Sequence, residues 1–158
     1  SAASDVYKRQ GDIIPPQYIA ADAVVERSII GEGTEIYGEV HNSVIGAGVT
    51  IKKGAVIRDS IIMKQTTIGE NNVIDKAIIA ENVTVGDHVV MGVGEEVPNK
   101  LKPNVYSFGL VTVGENTIIP SNVKIGKNTA IVGKTSAEDY PEGILESGET
   151  LNKEGETE

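Results

Sequence analysis

The chain has 158 residues, no cysteine, a formal net charge of −9 and only 4% aromatic residues. The length suits one domain, and the lack of cysteine excludes disulfides, thiolate metal sites and a thiol nucleophile. The acidic charge argues against non-specific nucleic-acid binding, and no segment reads as a signal peptide or membrane span, so we expect a cytoplasmic protein that binds neither nucleic acid nor membrane.

The first ten residues, SAASDVYKRQ (1–10), have no counterpart in the repeat that follows. They resemble the in-frame translation of a transposon-end adapter used in DNA sequencing libraries. A natural N-terminal arm is the alternative. We expect residues 1–10 to be an adapter-derived artefact without fixed structure, with native sequence starting near Gly11.

A six-residue period dominates the chain from Ile19 to about residue 133. Three blocks of seventeen residues, 44–60, 61–77 and 78–94, align without gaps, with an aliphatic side chain or Met at intervals of six, six and five. This period is neither the 3.6 of a helix nor the alternation of one long strand. It predicts three short strands and three corners in each circuit of the chain. The recurring residues in these blocks are Ile45, Ile51, Ile57, Ile62, Ile68, Ile74, Ile79, Val85 and Met91.

Two further columns accompany the large aliphatic residues. Four residues later comes a smaller side chain that should share the interior: Val49, Ala55, Thr66, Val83, Val89, Thr117, Val123 and Thr129. Three residues later comes a column of residue types that tolerate positive φ, which predicts corners. That column reads Gly33, Gly48, Gly54, Asn71, Asn82, His88, Asn116, Asn122 and Asn128.

This hexapeptide pattern resembles the left-handed parallel β-helix, an all-β triangular prism in which each coil lies on the one before. The left hand is implied by the resemblance alone, since crossovers between parallel strands are usually right-handed. We expect about six coils within residues 11–134, so that each coil pairs only with its neighbours.

Two segments break the period. Residues 95–112, with two prolines and two lysines, predict a loop insertion thrown out from the prism. Residues 135–158 are rich in Glu and predict a C-terminal tail that lies over the last coil at its start and is disordered at its end. Only Ile144, Leu145 and Leu151 could anchor that tail.

Several segments are more specific than the repeat. The resemblance to the C-terminal domain of bacterial glucose-1-phosphate adenylyltransferases covers residues from about Ile13 to Leu151. It is carried by PPQYIAADA (15–23), SIIGEGTEIYGEVHNSVIG (28–46), RDSIIM (58–63), GVGEEVPNKLKPNVYSFGLVTVGENTIIPSNVKIGKN (92–128) and AEDYPEGILESGETL (137–151).

The resemblance implies a parent enzyme that converts ATP and glucose 1-phosphate into ADP-glucose and pyrophosphate for glycogen synthesis. Its nucleotidyltransferase domain, with a glycine-rich phosphate loop and carboxylates for Mg²⁺, would precede this chain and is absent from it. No catalytic residue, metal site or cofactor is therefore predicted here. The expected role is regulation and assembly of a homotetramer, and a first coil without that domain should expose unpaired strand edges and promote association.

Two residue groups are candidate sites. Lys100, Lys102, Lys124 and Lys127 could bind the anionic metabolite effector that the resemblance implies, although solvated lysines are the alternative. Arg27, His41 and Arg58 could face the missing domain or another subunit. Ser28, Ser43 and Ser60 should stack in register as a structural hydroxyl ladder.

The two histidines offer an alternative function. A hexapeptide acyltransferase that uses acyl-CoA needs a histidine as general base. His88 lies in the corner column, which explains it without catalysis, and His41 has no obvious orienting carboxylate in the sequence. Two histidines also cannot supply a three-His zinc site. A β-helix scaffold without enzyme activity is the third possibility.

Overall fold

The computed structural model describes residues 15–154, and their regular secondary structure is almost entirely short β-strands. Two 3₁₀ turns occur, at Ala137–Asp139 and Pro141–Gly143. No helix among the described residues is long and apolar enough to cross a membrane. The strands in chain order are β1 (Tyr18–Ile19), β2 (Val24–Glu26), β3 (Ile29–Ile30), β4 (Glu35–Ile36), β5 (Glu39–His41), β6 (Val44–Ile45), β7 (Thr50–Ile51), β8 (Val56–Arg58), β9 (Ile61–Ile62), β10 (Thr67–Ile68), β11 (Val73–Asp75), β12 (Ala77–Ile79), β13 (Thr84–Val85), β14 (Val90–Val93), β15 (Val111–Val113), β16 (Ile118–Ile119), β17 (Lys124–Gly126), β18 (Thr129–Val132), β19 (Ile144–Leu145) and β20 (Thr150–Asn152).

The strands form three parallel sheets. Sheet A has the order β1-β4-β7-β10-β13-β16, sheet B runs from β2 to β19 and sheet C from β3 to β20. Each sheet takes every third strand, except that sheets B and C end with the pairs β17-β19 and β18-β20. Successive strands therefore enter different sheets, and each coil lies on the previous one. We name the corners between the sheets the A–B, B–C and C–A edges. The predicted all-β parallel β-helix of hexapeptide repeats is confirmed.

The interior holds the aliphatic column that the period predicted. Ile45 pairs in register with Ile62, and Ile62 with Ile79, and none of the three is more than 1% exposed. The smaller residues between them are also buried, from Val49 to Thr129. Burying each Ile or Val side chain stabilises the fold by roughly 1.5–3 kcal/mol, so this column supplies most of the stability.

The predicted corner column is confirmed by the backbone angles. All nine residues, from Gly33 to Asn128, have φ between 54° and 80°. The B–C edge adds a second left-handed column that the sequence did not reveal, at Arg27, Asn42, Asp59 and Lys76. Arg and Lys rarely adopt positive φ, so residue type alone could not identify this column.

The β-helix has seven coils instead of about six and continues past residue 134. The predicted tail contributes β19 and β20, which pair with β17 and β18. An isolated bridge from Ile118 to Lys134 adds the seventh rung of sheet A. The physical reason is that Leu145 and Leu151 supply one apolar side chain for each of two walls, which is enough to extend the stack by a coil.

The loop insertion lies at the B–C edge of the fifth coil. It spans residues 94–110, between β14 and β15, and is slightly shorter than the predicted 95–112. Val111 and Thr112 belong to β15 because Val111 is fully buried and pairs with Ala77. The other coils cross this edge in one or two residues between strands, or in four in the seventh coil, so the loop is the main departure from the repeat.

The two ends of the prism differ. At the first coil, β1, β2 and β3 each pair on one side only, and Tyr18 and Ile19 are 54% and 43% exposed. At the seventh coil, Tyr140 follows the first 3₁₀ turn and is 2% exposed. Its hydroxyl lies 2.9 Å from the Thr135 hydroxyl, so the turns seal the last coil. The described N-terminal end is open, and the C-terminal end is capped. The proposed artefact, residues 1–10, lies outside the described residues.

The buried phenol of Tyr140 should make the fold less stable at alkaline pH. Burial raises the pKa of its phenol to about 12. In the unfolded chain the phenol ionises near its ordinary pKa of about 10. Between these two values only the unfolded state loses the proton, so the free energy of unfolding should fall as pH rises, by up to about 1.4 kcal/mol per pH unit.

Urea unfolding at a series of pH values between 9 and 12 would measure this effect. In Tyr140→Phe the free energy of unfolding should depend less on pH over the same range, although this variant loses the bond to Thr135 at every pH. Tyr106→Phe is the matched control and should keep the wild-type slope. Equal slopes in all three proteins would contradict the assignment to Tyr140.

Candidate functional site

A charged column runs up the outer face of sheet B. Strand register places His41 above Glu26 and below Arg58, and Arg58 pairs with Asp75 in the next coil. The His41 Nδ1 lies 3.4 Å from a Glu26 carboxylate oxygen, and its Nε2 lies 3.3 Å from Glu39. The expectation that His41 has no orienting carboxylate is therefore wrong. Glu26 is a neighbour only through the coil spacing, but Glu39 is two residues earlier in the same strand and could have been recognised from the sequence.

The position of His41 does not suit a general base. A base needs one ring nitrogen free to accept a proton from the substrate. Both ring nitrogens of His41 face carboxylates, and the side chain is half-buried within strand β5. His88 is an exposed corner residue with φ of 55°, as the corner column predicted. Neither histidine is placed for acyl transfer within the described chain.

The serines at the B–C edge form the predicted ladder. The Ser43 amide donates to the Ser28 hydroxyl at 3.0 Å, and the Ser60 amide donates to the Ser43 hydroxyl at 3.1 Å. The Ala77 amide continues the ladder onto Ser60 at 3.0 Å. The Ser43 and Ser60 hydroxyls also donate to the carbonyl oxygen two residues earlier. These hydroxyls are fully used in holding coils together, which supports the structural interpretation.

The ladder predicts a graded cost of serine removal. In Ser60→Ala, the buried Ala77 amide loses its acceptor, and we expect a loss of about 1–2 kcal/mol in the free energy of unfolding. Ser28→Ala should cost less, because Ser28 lies on the open first coil where water can replace the hydroxyl. Chemical unfolding of the two variants measures the difference. Equal losses in the free energy of unfolding of the two variants would show that the cost does not depend on how deeply the serine is buried.

Two asparagines attach the loop 94–110 to the prism. The Asn128 amide group donates to the Val97 carbonyl and accepts from the Gly109 amide, both at 2.8 Å. Asn99 donates to the Asn128 carbonyl at 2.9 Å and accepts from the amides of two following loop residues. Both asparagines are at least 96% buried. The corner column predicted the backbone of Asn128, but nothing in the sequence indicated these loop contacts.

The four candidate lysines lie on the sixth coil and the loop. The amide of Lys100 bonds to the Gly148 carbonyl and the Gly148 amide to the Lys127 carbonyl, so both lysines lie at the same part of the B–C edge. The Lys100 ammonium pairs with the Glu149 carboxylate. Lys102 is exposed on the loop, and Lys124 points outward from sheet B. The structure thus joins Lys100 and Lys127 and leaves Lys124 on the neighbouring face.

Lys124 lines a groove of about 460 Å³ between the start of the loop and the seventh coil. The groove walls include Val93 and Ile144, and two carboxylates, Glu95 and Glu146, share it with the lysine. Two carboxylates beside one ammonium disfavour a multiply charged anion. An effector that uses this groove would need an apolar part in contact with the aliphatic walls.

The family resemblance implies Mg²⁺ for the nucleotidyltransferase domain that would precede this chain. Within residues 15–154 no group of three or more His, Cys, Asp or Glu side chains is arranged to hold a metal ion. Arg58 lies in register between His41 and Asp75 on sheet B and places a permanent positive charge beside these side chains. Metal chemistry is not assigned to the described residues.

Comparison with known proteins identifies the family. The model of the GlmU-like, C-terminal hexapeptide family matches residues 17–113. The chain is 63% identical over 145 residues to a glucose-1-phosphate adenylyltransferase from Lachnospira eligens, covering 92% of this chain and 34% of the relative. It is 46% identical over 144 residues to one from Acetivibrio thermocellus, covering 91% of this chain and 34% of the relative. The resemblance predicted from the sequence is confirmed.

The chain spans about a third of the length of the curated relatives it matches. A solved structure of perosamine N-acetyltransferase from Caulobacter crescentus is 18% identical, with a TM-score of 0.37, covering 93% of this chain and 57% of that one. A likeness of that size does not favour acyl transfer. The family match covers more than half of the chain and fits the seven-coil prism, and the chain therefore belongs to the GlmU-like, C-terminal hexapeptide family.

Proposed function

We propose that this chain is the C-terminal regulatory and oligomerisation part of a glucose-1-phosphate adenylyltransferase. The observation that carries the proposal is the 63% identity over 145 residues to a relative of that name. The β-helix itself constrains mainly the inward and corner positions, and many functions share one fold. An identity of 63% over 145 residues, a span that includes the loop, supports a shared function beyond the shared fold.

The parent enzyme would join ATP and glucose 1-phosphate to give ADP-glucose and pyrophosphate in the cytoplasm, for glycogen synthesis. Its nucleotidyltransferase domain would supply the catalytic residues and hold Mg²⁺. This chain alone should be inactive. Its open first coil, with Tyr18 and Ile19 exposed, is the place where that domain would join.

An anionic metabolite would regulate the enzyme through Lys100, Lys102, Lys124 and Lys127. Support comes from Lys100 and Lys127, which backbone bonds to Gly148 bring to the same part of the B–C edge. Lys100 already pairs with Glu149, so an effector would have to compete with that carboxylate. A phosphate could displace Glu149 if its two negative charges lay near two of these ammonium groups. The attraction would then exceed that between the single Glu149 carboxylate and Lys100.

Arg27, His41 and Arg58 would contact the missing domain or another subunit of a homotetramer. Arg58 is exposed and has no ion pair among residues 15–154, and the same is true of Arg27. Free guanidinium groups on one edge suit carboxylates of a partner surface. His41 lies in register next to Arg58 in the charged column, and Arg27 lies at the adjacent B–C corner.

A chimera tests the proposed function. Residues 11–158 would replace the matching third of the Lachnospira eligens enzyme, and ADP-glucose formation would be measured from ATP, glucose 1-phosphate and Mg²⁺. We expect activity close to the parent enzyme, and none from this chain alone. The matched control carries the same segment with Lys100→Ala and Lys102→Ala, which should keep basal activity and lose part of its response to effectors.

Two results would overturn the proposal. A chimera that folds and assembles but forms no ADP-glucose would favour a β-helix scaffold. Micromolar binding of acetyl-CoA to this chain in calorimetry would favour the acyltransferase alternative, despite the position of His41.

A further inference from the structure

The outer face of sheet C carries no charged side chain in its first five coils. The outward positions alternate with buried aliphatic residues and pair in register from coil to coil. In a chain with 23% charged residues this is unusual, and sheet B by contrast carries Glu, His, Arg and Asp. The outward residues of sheet C are Ile29, Gly31, Val44, Gly46, Ile61, Met63, Ile78, Ala80, Thr112 and Gly114.

Four of these side chains form an exposed aliphatic ridge. Ile29 is 70% exposed, and Val44, Ile61 and Met63 are each about 40% exposed. Glycine and alanine beside the ridge keep the face low and flat. Contiguous apolar patches on soluble proteins mark interaction sites. We propose that this face binds the same face of a second copy of the chain.

Charges at the two edges of the face support a second copy as the occupant. In the first coil the B–C edge has Arg27 and the C–A edge has Glu32. In the third coil the order is reversed, with Asp59 and Lys64.

The fourth coil repeats the order of the first, with Lys76 and Glu81, and the second coil has no charge at either corner. Each charged coil therefore presents opposite signs at the two edges of one face. Such an arrangement complements itself when the face is turned over onto a copy.

The edge charges also select the orientation. A two-fold axis parallel to the prism places the B–C edge of one copy opposite the C–A edge of the other at the same coil. Arg27 then meets Glu32 of the second copy, and Lys76 meets Glu81. An antiparallel arrangement centred between the second and third coils would place Arg27 against Lys76, and one centred on the second coil would pair opposite charges in the first and third coils but leave the fourth unpaired, whereas the parallel arrangement pairs all three charged coils. Opposite charges fix register and exclude wrong arrangements more than they add affinity, so the geometry points to a parallel dimer.

The size of the face indicates a weak dimer. Five coils at about 4.8 Å make it roughly 24 Å tall. With a width on the order of 15 Å, each copy would bury on the order of 400 Å², below the roughly 800 Å² per partner of a standard interface. The inference concerns the chain alone and does not depend on the proposed enzyme activity.

Sedimentation of the 158-residue chain at about 5 to about 500 μM tests the dimer. We expect reversible dimerisation that Ile61→Lys weakens at least about tenfold, because it places a charge in the ridge. Thr67→Lys is the matched control: it makes the same charge change on the outer face of sheet A and should dimerise like wild type. Circular dichroism and melting would confirm that both variants fold.

A charge swap tests the orientation. Neither Arg27 nor Glu32 has an ion pair among residues 15–154. Arg27→Glu and Glu32→Arg should each weaken the dimer several-fold, and the double variant should recover most of the loss. A chain that stays monomeric at all concentrations would overturn the proposal. So would an oligomer that Ile61→Lys leaves intact, which would indicate end-to-end association through the open first coil.

Discussion

Replacing Ile68 with Asn should unfold much of the prism, whereas the same change at the preceding residue, Thr67, should be tolerated. Ile68 is fully buried and lies in register between Ile51 and Val85 on sheet A. Thr67 is one position earlier and points outward, between Thr50 and Thr84. The two substitutions introduce the same residue into the same strand. They therefore differ only in whether the new side chain points into the core or out to solvent.

The expected cost at Ile68 has two sources. Loss of a buried aliphatic side chain removes roughly 1.5–3 kcal/mol. The new amide adds about 1–3 kcal/mol, because it would lie unpaired in the interior. Every buried side-chain nitrogen and oxygen among the described residues already has a hydrogen-bond partner, so none is left to pair with the new amide. A total of roughly 3–5 kcal/mol is a large part of the stability of a small domain.

Urea unfolding followed by circular dichroism measures the difference. We expect Thr67→Asn to stay within about 0.5 kcal/mol of wild type. Because each coil contacts only its neighbours, Ile68→Asn could also divide the transition into two steps, with the C-terminal coils melting separately. Equal stability of the two variants would show that the six-residue period does not define the interior.

The sequence predicted the interior and most corners because both are set by rules local to one coil. A six-residue interval forces Ile45, Ile62 and Ile79 into one stack regardless of other contacts. The corner column follows equally from residue type, since Gly and Asn accept positive φ at little cost. These features repeat in every coil, so an error in interpreting one coil would not change the predicted fold.

Features that arise from neighbouring coils or from breaks in the repeat were not predictable. The carboxylate of Glu26 reaches His41 only because the fifteen-residue step between them completes one coil. The seventh coil was missed because residues 135–143 replace a regular strand with two 3₁₀ turns before Ile144 resumes the pattern. The anchoring of the loop by Asn99 depends on contacts with residues about thirty and fifty positions away.

Asn128→Ala should detach the loop 94–110 from the prism while leaving the coils intact. The substitution removes the acceptor of the Gly109 amide and the donor to the Val97 carbonyl. It also places alanine at a φ of 56°, a left-handed backbone conformation that Asn adopts more easily than Ala does. Leaving buried backbone groups unpaired costs about 1–3 kcal/mol each, so we expect a loss of roughly 2–4 kcal/mol, reduced by the release of the loop to water.

Asn116→Ala is the matched control for this prediction. Asn116 has a similar φ of 61°, but its side chain makes one exposed bond, to Asn82. The two variants therefore share the backbone penalty and differ in the loop contacts. Trypsin cleavage after Lys100 should become many-fold faster in Asn128→Ala only, because the released loop can enter the protease. If both variants were cleaved at the wild-type rate, the loop would be held by something other than Asn128, such as the pair between Lys100 and Glu149.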